Sequence, residues 1–357
     1  MNYLFLNKLT IVILTYNRHK YLIRSINYWS NYNIKLLILD GSTLKLNDSY
    51  LQSKNIKYVH NTKGLYERFL SSVSYVDTEF MILCCDDEFY LPSPLSSCIE
   101  FLIKEESYSN CQGLAIGFGT RKKGQEIYGF QQYLEFRDGS LDHDSALERI
   151  TKHFSNYAPA HVFSVIRSST WKIICKHLIK IEQYFNGAFE LQIEFLRIVP
   201  GKSKIIQELM WLRNNELPAI RTLADAPVSN KMPILKWWYE KRFKKEKDDF
   251  LIRMKKACDE LSIDNNCQFT KDLVSKLFEL YIKKSYSKKK KNFIAKVINI
   301  LKYLVRNLTK SILPWHEIRT KKYRSLKDET YKLEEDGYIV NQKEVSQIIS
   351  FLKKNPI

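Results

Sequence analysis

The stretch Phe80–Pro92, FMILCCDDEFYLP, decides the fold. It begins with six apolar residues, a run too short for a typical helix, and then reaches three consecutive acids, Asp86, Asp87 and Glu88. This order is typical of a buried parallel strand whose carboxyl end delivers side chains to the edge of an open sheet. Ligands of α/β sheets bind at that edge. We therefore predict a strand here and a functional site directly after it.

Three adjacent carboxylates repel one another, and a cation between them offsets that repulsion. A divalent metal ion is the natural candidate, because Mg²⁺ and Mn²⁺ prefer hard oxygen ligands. A solvated acidic turn that merely ends the strand accounts for the same three residues equally well when they are taken alone. The segments upstream favour the metal site.

Strands and helices alternate upstream of the acids. The predicted order is a strand over Leu9–Leu14, a polar turn over Thr15–Arg18, a helix after it, strands over Ile34–Leu39 and residues 56–60, and a helix from about Tyr66 to Val76. The strands are rich in β-branched and other apolar residues, and the first helix has apolar residues at helical spacing. This alternation predicts βαβ units and a parallel sheet with functional groups at the strand ends.

The turn after the first strand carries polar side chains in place of glycines. No GxGxxG follows this strand and no GxxxxGK[ST] occurs in the chain, which removes the main support for a dehydrogenase or a kinase. A hydroxyl, an aromatic ring, an amide and a cation suit a stacked base and a phosphate. These groups belong to Thr15, Tyr16, Asn17 and Arg18. Asp40, after the second strand, could bind a ribose or a base N–H, and a turn-capping role before Gly41 explains it equally well.

The composition is that of a globular protein, with 45% hydrophobic and 27% charged residues among 357. The formal net charge of +18 indicates an anionic partner, such as a nucleotide, a nucleic acid or an acidic lipid surface. The seven cysteines form neither a CxxC pair nor a zinc-finger spacing, so we interpret them as reduced thiols of a cytoplasmic protein. The N-terminus lacks signal-peptide features, and no window holds the ~18 apolar residues of a membrane span.

After about residue 225 the chain turns into charged amphipathic helices. Trp237 and Trp238 in this region are expected to pack against the preceding domain. Residues 283–310 contain ten Lys or Arg and no acid, with apolar residues recurring at helical spacing. A basic face opposite an apolar one predicts a helix at about 288–310 that lies on an anionic membrane surface. A core helix with a solvated basic side explains the same pattern.

Four segments in order resemble the nucleotide-diphospho-sugar-binding half of GT-A-fold glycosyltransferases of the family-2 kind. They are LTIVILTYNR (9–18), LLILDGS (36–42), GLYERF (64–69) and FMILCCDDEFYLP (80–92). NYAPAH (156–161) is similar to a segment of bacterial surface-polysaccharide transferases within that family. The resemblance covers roughly residues 8–215. It implies an α/β, Rossmann-like GT-A domain with a mostly parallel sheet over 1–224, and a helical, basic C-terminal region over 225–357. Within the first, the nucleotide-sugar half is about 8–100 and the acceptor half about 110–224.

The resemblance also implies a role for each polar group at the strand ends. The donor nucleotide would lie on Thr15, Tyr16, Asn17, Arg18, Asp40 and Asp86, with its diphosphate near Lys63 and Arg68. The DxD site would be formed by Asp86, Asp87 and Glu88, with the metal on Asp87 and Glu88. Asp87 is counted among the catalytic groups as well. Two positions depart from the family's pattern. Leu14 replaces the usual proline, and Glu88 is one methylene longer than the usual aspartate.

An inverting enzyme also needs a carboxylate base that takes the proton of the acceptor hydroxyl. In the family this acid stands at the start of a later helix, a place that Glu190 matches, with Glu194 as the second candidate. Two acids four residues apart are also the pattern of a solvated helix face. His161 is a candidate for an acceptor or phosphate contact, and a buried structural histidine fits it equally well. Arg213 is a candidate for the donor diphosphate.

The resemblance therefore implies a metal-dependent, inverting glycosyltransferase that uses Mn²⁺ or Mg²⁺ and a UDP-sugar. Its acceptor would be a glycan or lipid-linked glycan of lipopolysaccharide or capsule, at the cytoplasmic face of the inner membrane. A basic nucleic-acid-binding protein is an alternative suggested by the charge. It leaves the acids unexplained, since they repel phosphate without a metal, so no nucleic acid is expected. A sugar-nucleotide-binding scaffold without catalysis is the third possibility.

Overall fold

The computed structural model describes residues 3–121, 124–158, 161–179, 186–215, 234–262, 268–284 and 324–357. The predicted membrane-surface helix at about 288–310 and the predicted domain border near residue 224 lie outside these ranges. Within them, no helix combines the length and the apolar character needed to cross a bilayer.

The first part of the chain is a parallel sheet with helical crossovers, as the sequence predicts. Its elements are β1 (Leu9–Thr15), α1 (His19–Trp29), β2 (Lys35–Asp40), β3 (Ile56–His60), α2 (Leu65–Ser72) and β4 (Phe80–Cys85). β1 lies between β2 and β4, and β2 pairs with β3, all in parallel. The register sets Thr15 opposite Asp40 and Leu14 opposite Cys85. The carboxyl ends of β1, β2 and β4 therefore meet at one edge of the sheet.

The second part extends the same sheet with mixed strand directions. Its elements are β5 (Phe89–Tyr90), α3 (Pro92–Lys104), β6 (Tyr108–Arg121), β7 (Glu126–Gln131), α4 (Ala146–Ser155), β8 (Val165–Arg167), α5 (Ser168–His177), α6 (Asn186–Ile198) and β9 (Lys202–Asn214). β8 lies antiparallel between β4 and β6, β6 and β7 form an antiparallel pair, and β9 runs parallel to β6. β5 pairs with the end of β9, so that Phe89 faces Leu212 and Tyr90 faces Trp211. This pairing brings the end of β9 next to the acids.

Helices cover both faces of the sheet because alternate strand residues point to opposite sides. Ile11 and Ile13 belong to one buried apolar cluster, together with residues of α1 and α3, whereas Val12 belongs to a second cluster with residues of α5 and α6. β1, β2 and β4 are therefore apolar on both faces, and most of their polar residues lie at or near the strand ends.

The C-terminal region is helical, as predicted, and it packs on both faces of this sheet. It contains α7 (Ile234–Tyr239), α8 (Lys244–Leu261), a helix that includes residues 271–284 (α9), a short strand β10 (Arg324–Ser325), α10 (Leu326–Glu335) and α11 (Gln342–Lys354). Trp237 and Trp238 are buried in the second cluster, which confirms their packing role. α10 and α11 contribute Leu326, Val345 and Ile348 to the first cluster.

Candidate active site

Asp40 is fully buried at the end of β2, and three donors surround its carboxylate. Oδ1 accepts from the Ser42 backbone N–H at 2.7 Å, and Oδ2 accepts from Tyr58 at 2.6 Å and lies 3.0 Å from His19 Nε2. Burial opposes its charge, but the hydrogen bonds from Ser42, Tyr58 and His19 outweigh it and hold the pKa of Asp40 below its usual range. The turn-capping interpretation is therefore correct for Oδ1, and the carboxylate is a fixed negative charge beside His19.

The turn after β1 is tied to the turn after β2. Asn17 has a left-handed backbone with φ of 54°, its N–H donates to Ser42 Oγ at 2.8 Å, and its side-chain oxygen accepts from Thr43 N at 2.9 Å. An open cleft of about 690 Å³ lies between the two turns, a size typical of small-molecule sites. Its walls are formed by Asn17, Arg18, His19, Lys20, Tyr21, Ser42, Thr43 and Leu44. Two of the four turn residues predicted for the donor nucleotide thus line a cleft.

The acids after β4 are buried and connected to this turn. Asp86 is 1% exposed and Asp87 9% exposed. Asp86 Oδ2 accepts from Thr15 Oγ1 at 2.6 Å, and the Arg18 guanidinium spans both acids, with 3.2 Å from NH1 to Asp86 Oδ1 and 2.5 Å from NH2 to Asp87 Oδ2. The interpretation as a solvated turn is therefore wrong. The cation that lies between the first two acids is Arg18, an arrangement that the sequence did not predict.

Glu88 lies on the side of the cluster that faces β9. It is 4% exposed, its Oε2 accepts from Trp211 Nε1 at 3.0 Å, and its Oε1 is 3.6 Å from Arg213 Nε. The Arg213 guanidinium also donates to Tyr133 and lies 5.2 Å from the centre of its ring. Burial, reinforced by the charge of Asp87, raises the pKa of Glu88 above its usual range. A further positive charge in the cluster would hold Glu88 ionised.

The residues at the end of β4 fit a metal ion. Among the described residues, ligand atoms of Cys85, Asp87 and Glu88 all lie within 4.8 Å of one another. The buried Oδ1 of the adjacent Asp86 accepts no hydrogen bond, and its ion-pair partner is Arg18 NH1 at 3.2 Å. Asp87 and Glu88 were predicted from the sequence as the metal ligands, and the structure places them together. Cys85 was not, although its position one residue before the acids, at the strand end, was a signal for it.

Glu190 is half-buried near the start of α6. Its Oε1 accepts from Tyr157 at 2.7 Å, and it interacts electrostatically with Arg213. Burial, together with the nearby Glu194, raises the pKa of Glu190 to about 7. Such a carboxyl group is suited to exchange protons at neutral pH. Arg213 links it to the acid cluster, because the same side chain also pairs with Glu88.

Glu194 and His161 are structural residues. Glu194 is fully buried, its Oε1 accepts from the Val162 backbone N–H at 2.6 Å, and its Oε2 lies 2.8 Å from His153 Nε2. His161 is 1% exposed, its Nδ1 is 3.1 Å from Ser203 Oγ, and burial holds its pKa well below the usual range. A side chain in that position cannot reach an acceptor or a phosphate without opening the core. The structural interpretation of His161 is the one that the structure supports.

Two predicted diphosphate contacts occupy different environments. Arg68 is buried, and its NH1 donates to the carbonyls of Thr15 at 2.8 Å and Leu39 at 3.2 Å. It therefore ties the ends of β1 and β2 together, a positioning role that sequence reasoning missed. Lys63 is exposed in the loop before α2.

Part of the chain is similar to a known protein family. Residues 10–173, from β1 into α5, match the family model described as Glycosyl transferase family 2. The match covers just under half of the chain, and the matched residues are similar to a glycosyltransferase domain. The acid cluster, the turns after β1 and β2 and the cleft between them lie within residues 10–173. Glu190 and Arg213 lie outside this range. The predicted enzyme class and the predicted α/β fold of the GT-A type, with a helical C-terminal region, are confirmed.

Crystal structures of S. aureus TarS are also similar to the chain. TarS residues 1–349 are 12% identical with a TM-score of 0.44, covering 79% of this chain and 91% of the TarS chain. The complex of the same fragment with UDP-GlcNAc is 12% identical with a TM-score of 0.45, covering 79% and 92%. No curated protein sequence matches the chain significantly.

Proposed function

We propose that the protein is a metal-dependent, inverting glycosyltransferase that moves a sugar from a nucleoside diphosphate to a hydroxyl of a cell-surface glycan. The observation that carries this proposal is the placement of the acid cluster. Asp86 and Asp87 are buried at the end of β4 and joined through Arg18 to the turn that lines the cleft. This combination of acids, a cation and a neighbouring cleft supports a site for two phosphates and a nucleoside.

The donor nucleotide would occupy the strand ends. Asn17 and Arg18 line the cleft, and the ionised Asp40 lies directly behind it through His19. Half-buried Tyr16, beside them in the same turn, offers a ring on which a uracil can stack. A UDP-sugar is the donor that we favour. The diphosphate would lie towards Arg18 and Arg213, the two guanidinium groups that contact the acids.

Asp87 and Glu88 would hold Mn²⁺ or Mg²⁺, and Asp86 would support the site from its buried position. Such an ion, when bound, supplies Lewis-acid stabilisation of the negative charge on the departing diphosphate. Other residues of the chain hold the carboxylates of this site in position. Arg18 fixes the positions of Asp86 and Asp87, and Trp211 fixes the carboxylate of Glu88. Trp211 and Arg213 come from β9, which the β5 pairing holds beside the cluster.

Glu190 would act as the base that deprotonates the acceptor hydroxyl. Its pKa of about 7 lets a substantial fraction of the side chain be ionised at neutral pH and still accept a proton readily. Tyr157 holds the carboxylate in place through one oxygen, which leaves the other available. Inversion of the anomeric centre is what this single-base arrangement would produce.

We propose that the two halves of the first domain bind different substrates. Residues about 8–100 would bind the nucleotide-sugar and residues about 110–224 the acceptor, which we propose to be a lipopolysaccharide or capsule glycan on a lipid carrier. The basic segment at about 288–310 would hold the enzyme to the cytoplasmic face of the inner membrane through anionic lipids, at about 1 kcal/mol for each basic residue near the surface.

A thermal-shift screen tests the proposal. The protein is melted with UDP, GDP, CMP and TDP, each with and without Mn²⁺, and with an oligonucleotide. Stabilisation by one nucleoside diphosphate that grows with Mn²⁺ is the expected result, and stabilisation by the oligonucleotide alone would favour a nucleic-acid-binding protein.

Donor turnover distinguishes an enzyme from a scaffold. Asp87→Ala should abolish turnover, whereas Asp77→Ala, which removes an exposed acid that pairs only with Lys35 in the described ion pairs, should retain it.

A further inference from the structure

Cys84 and Cys85 end β4 on opposite faces of the sheet, because strand residues alternate. Cys84 belongs to the buried apolar core, and its Sγ donates to the carbonyl of Cys85 at 3.2 Å. Cys85 is partly exposed at the strand end. The two adjacent thiols therefore have different environments, and that of Cys85 is the more exposed.

The Sγ atom of Cys85 is part of a compact group of potential metal ligands with Asp87 and Glu88, all within 4.8 Å of one another. Next to them lies the buried Asp86 Oδ1, which accepts no hydrogen bond and has Arg18 NH1 as an ion-pair partner at 3.2 Å. We propose that Cys85 is a third protein ligand of the metal ion, so that the site combines one thiolate with two carboxylates. This inference deepens the proposed function, since it rests on a metal site at the end of β4.

The geometry allows this assignment with a small contraction. Bonds of about 2.3 Å to sulfur and about 2.1 Å to oxygen place two ligand atoms of one ion up to about 4.4 Å apart when they are opposite each other, and closer otherwise. Three atoms cannot all be opposite one another, and around a tetrahedral ion they lie about 3.4–3.6 Å apart, so the ion would draw the most distant pair together by up to about 1.4 Å. Ligation would shift the carboxylates of Asp87 and Glu88 relative to Arg18 and Trp211, which contact them.

A thiolate ligand changes which ions the site prefers. Coordination replaces the thiol proton with the metal ion, and the proton leaves to solvent. Thiolates favour softer ions, whereas carboxylates alone favour Mg²⁺ and Mn²⁺. The site should therefore bind Co²⁺ and Cd²⁺ more tightly than a site of carboxylates alone, and it should release a proton on binding.

Cobalt titration of the full-length protein tests the proposal without an activity assay. The probe is Co²⁺, followed by the near-ultraviolet charge-transfer absorption between a thiolate and Co²⁺, with equilibrium dialysis of Cd²⁺ and Mg²⁺ in parallel. The wild type and Cys84→Ala should both show the band. Cys85→Ser and Cys85→Ala should lose it, with Cd²⁺ affinity reduced at least ~10-fold and Mg²⁺ affinity nearly unchanged.

Asp87→Asn reports whether the ion is bound at this site, and melting curves of every variant report whether it folds. A band that persists in both Cys85 variants overturns the proposal. So does a wild type that binds Co²⁺ at a site weakened by Asp87→Asn but shows no band, and in that case the carboxylate metal site stands. A protein that binds no metal yet turns over its donor would refute Cys85 ligation and metal dependence together, while leaving glycosyl transfer intact.

Discussion

Arg18 and Asp87 form an ion pair of 2.5 Å between NH2 and Oδ2, and the same guanidinium lies 3.2 Å from Asp86. Both partners of the short pair are buried. Burial alone would lower the pKa of Arg18, but the charges of Asp86 and Asp87 outweigh it and raise the pKa above its usual value. Arg18 is thus the built-in counter-charge of the first two acids.

Removal of that counter-charge should make the protein depend on metal for stability. Arg18→Gln removes the counter-charge that Arg18 supplies to two buried carboxylates, and loss of one partner of a buried pair costs about 3–5 kcal/mol. A divalent ion can replace part of the missing charge, so Mn²⁺ should stabilise Arg18→Gln more than it stabilises the wild type. Urea unfolding with and without Mn²⁺ measures both effects. Arg18→Lys, which keeps the charge but not the fork that spans two acids, should lie between them.

An equal effect of Mn²⁺ on the wild type and on Arg18→Gln would contradict this account. It would mean that a bound metal ion does not stabilise the same carboxylates as Arg18.

Glu190→Gln should separate binding from transfer. The amide keeps the size of the side chain and can still accept from Tyr157, so the affinity for the nucleotide should change little. It cannot accept the acceptor's proton, so turnover should fall at least ~100-fold. Calorimetric titration with the nucleotide and initial rates measure the two quantities. Glu194→Gln is the matched control, since it disturbs bonds to His153 and Val162 in the core and should lower stability. Unchanged turnover in Glu190→Gln would remove Glu190 from the role of base.

The pH profile of the reaction gives an independent test of the same residue. A base must be ionised to act, and the pKa of Glu190 is raised to about 7, so the rate should fall as the pH drops below about 7. The hydrogen bond from Tyr157 lowers this pKa against the larger effects of burial and Glu194. Tyr157→Phe should therefore move the acidic limb of the profile to higher pH. A limb that stays in place would show that another group controls it.

Sequence reasoning succeeded where one local pattern decides the structure. The apolar runs that become β1, β2 and β4 are buried on both faces, so their polar ends had to lie at the sheet edge. It failed where a side chain has two possible partners across the fold. The ion pairs of Arg18 with Asp86 and Asp87 were not predicted, and His161 in its loop gave no sign that Ser203 would lie 3.1 Å away.

Cys85 and Arg68 show the same limit. Each is an unremarkable residue in its own segment, and its position matters only because β1, β2 and β4 end together. Arg68 reaches the carbonyls of Thr15 and Leu39, which belong to two different strands. Long-range pairing of this kind is not encoded in spacing or in composition. It follows from the register of the sheet.

Glu344 of α11 holds the C-terminal helices to the first part of the chain. Its carboxylate accepts from the Ser93 backbone N–H at 3.2 Å and from Ser93 Oγ at 3.0 Å, at the N-terminus of α3. Burial raises the pKa of Glu344, with the Ser93 hydrogen bonds opposing the shift. The acceptor oxygens of Glu344 therefore contribute more to stability than its negative charge. Glu344→Ala leaves the Ser93 N–H without its acceptor and should cost about 1–3 kcal/mol of unfolding free energy.

Glu344→Gln keeps an acceptor oxygen of nearly the same size, so it should cost clearly less than Glu344→Ala. Glu335→Ala, at an exposed position of α10, should stay within about 0.5 kcal/mol of the wild type. Urea unfolding followed by tryptophan fluorescence measures the three variants. If Gln and Ala were equally destabilising at position 344, the charge and not the acceptor would be the source of stability. In that case α11 would be held by an ionic contact that weakens with salt.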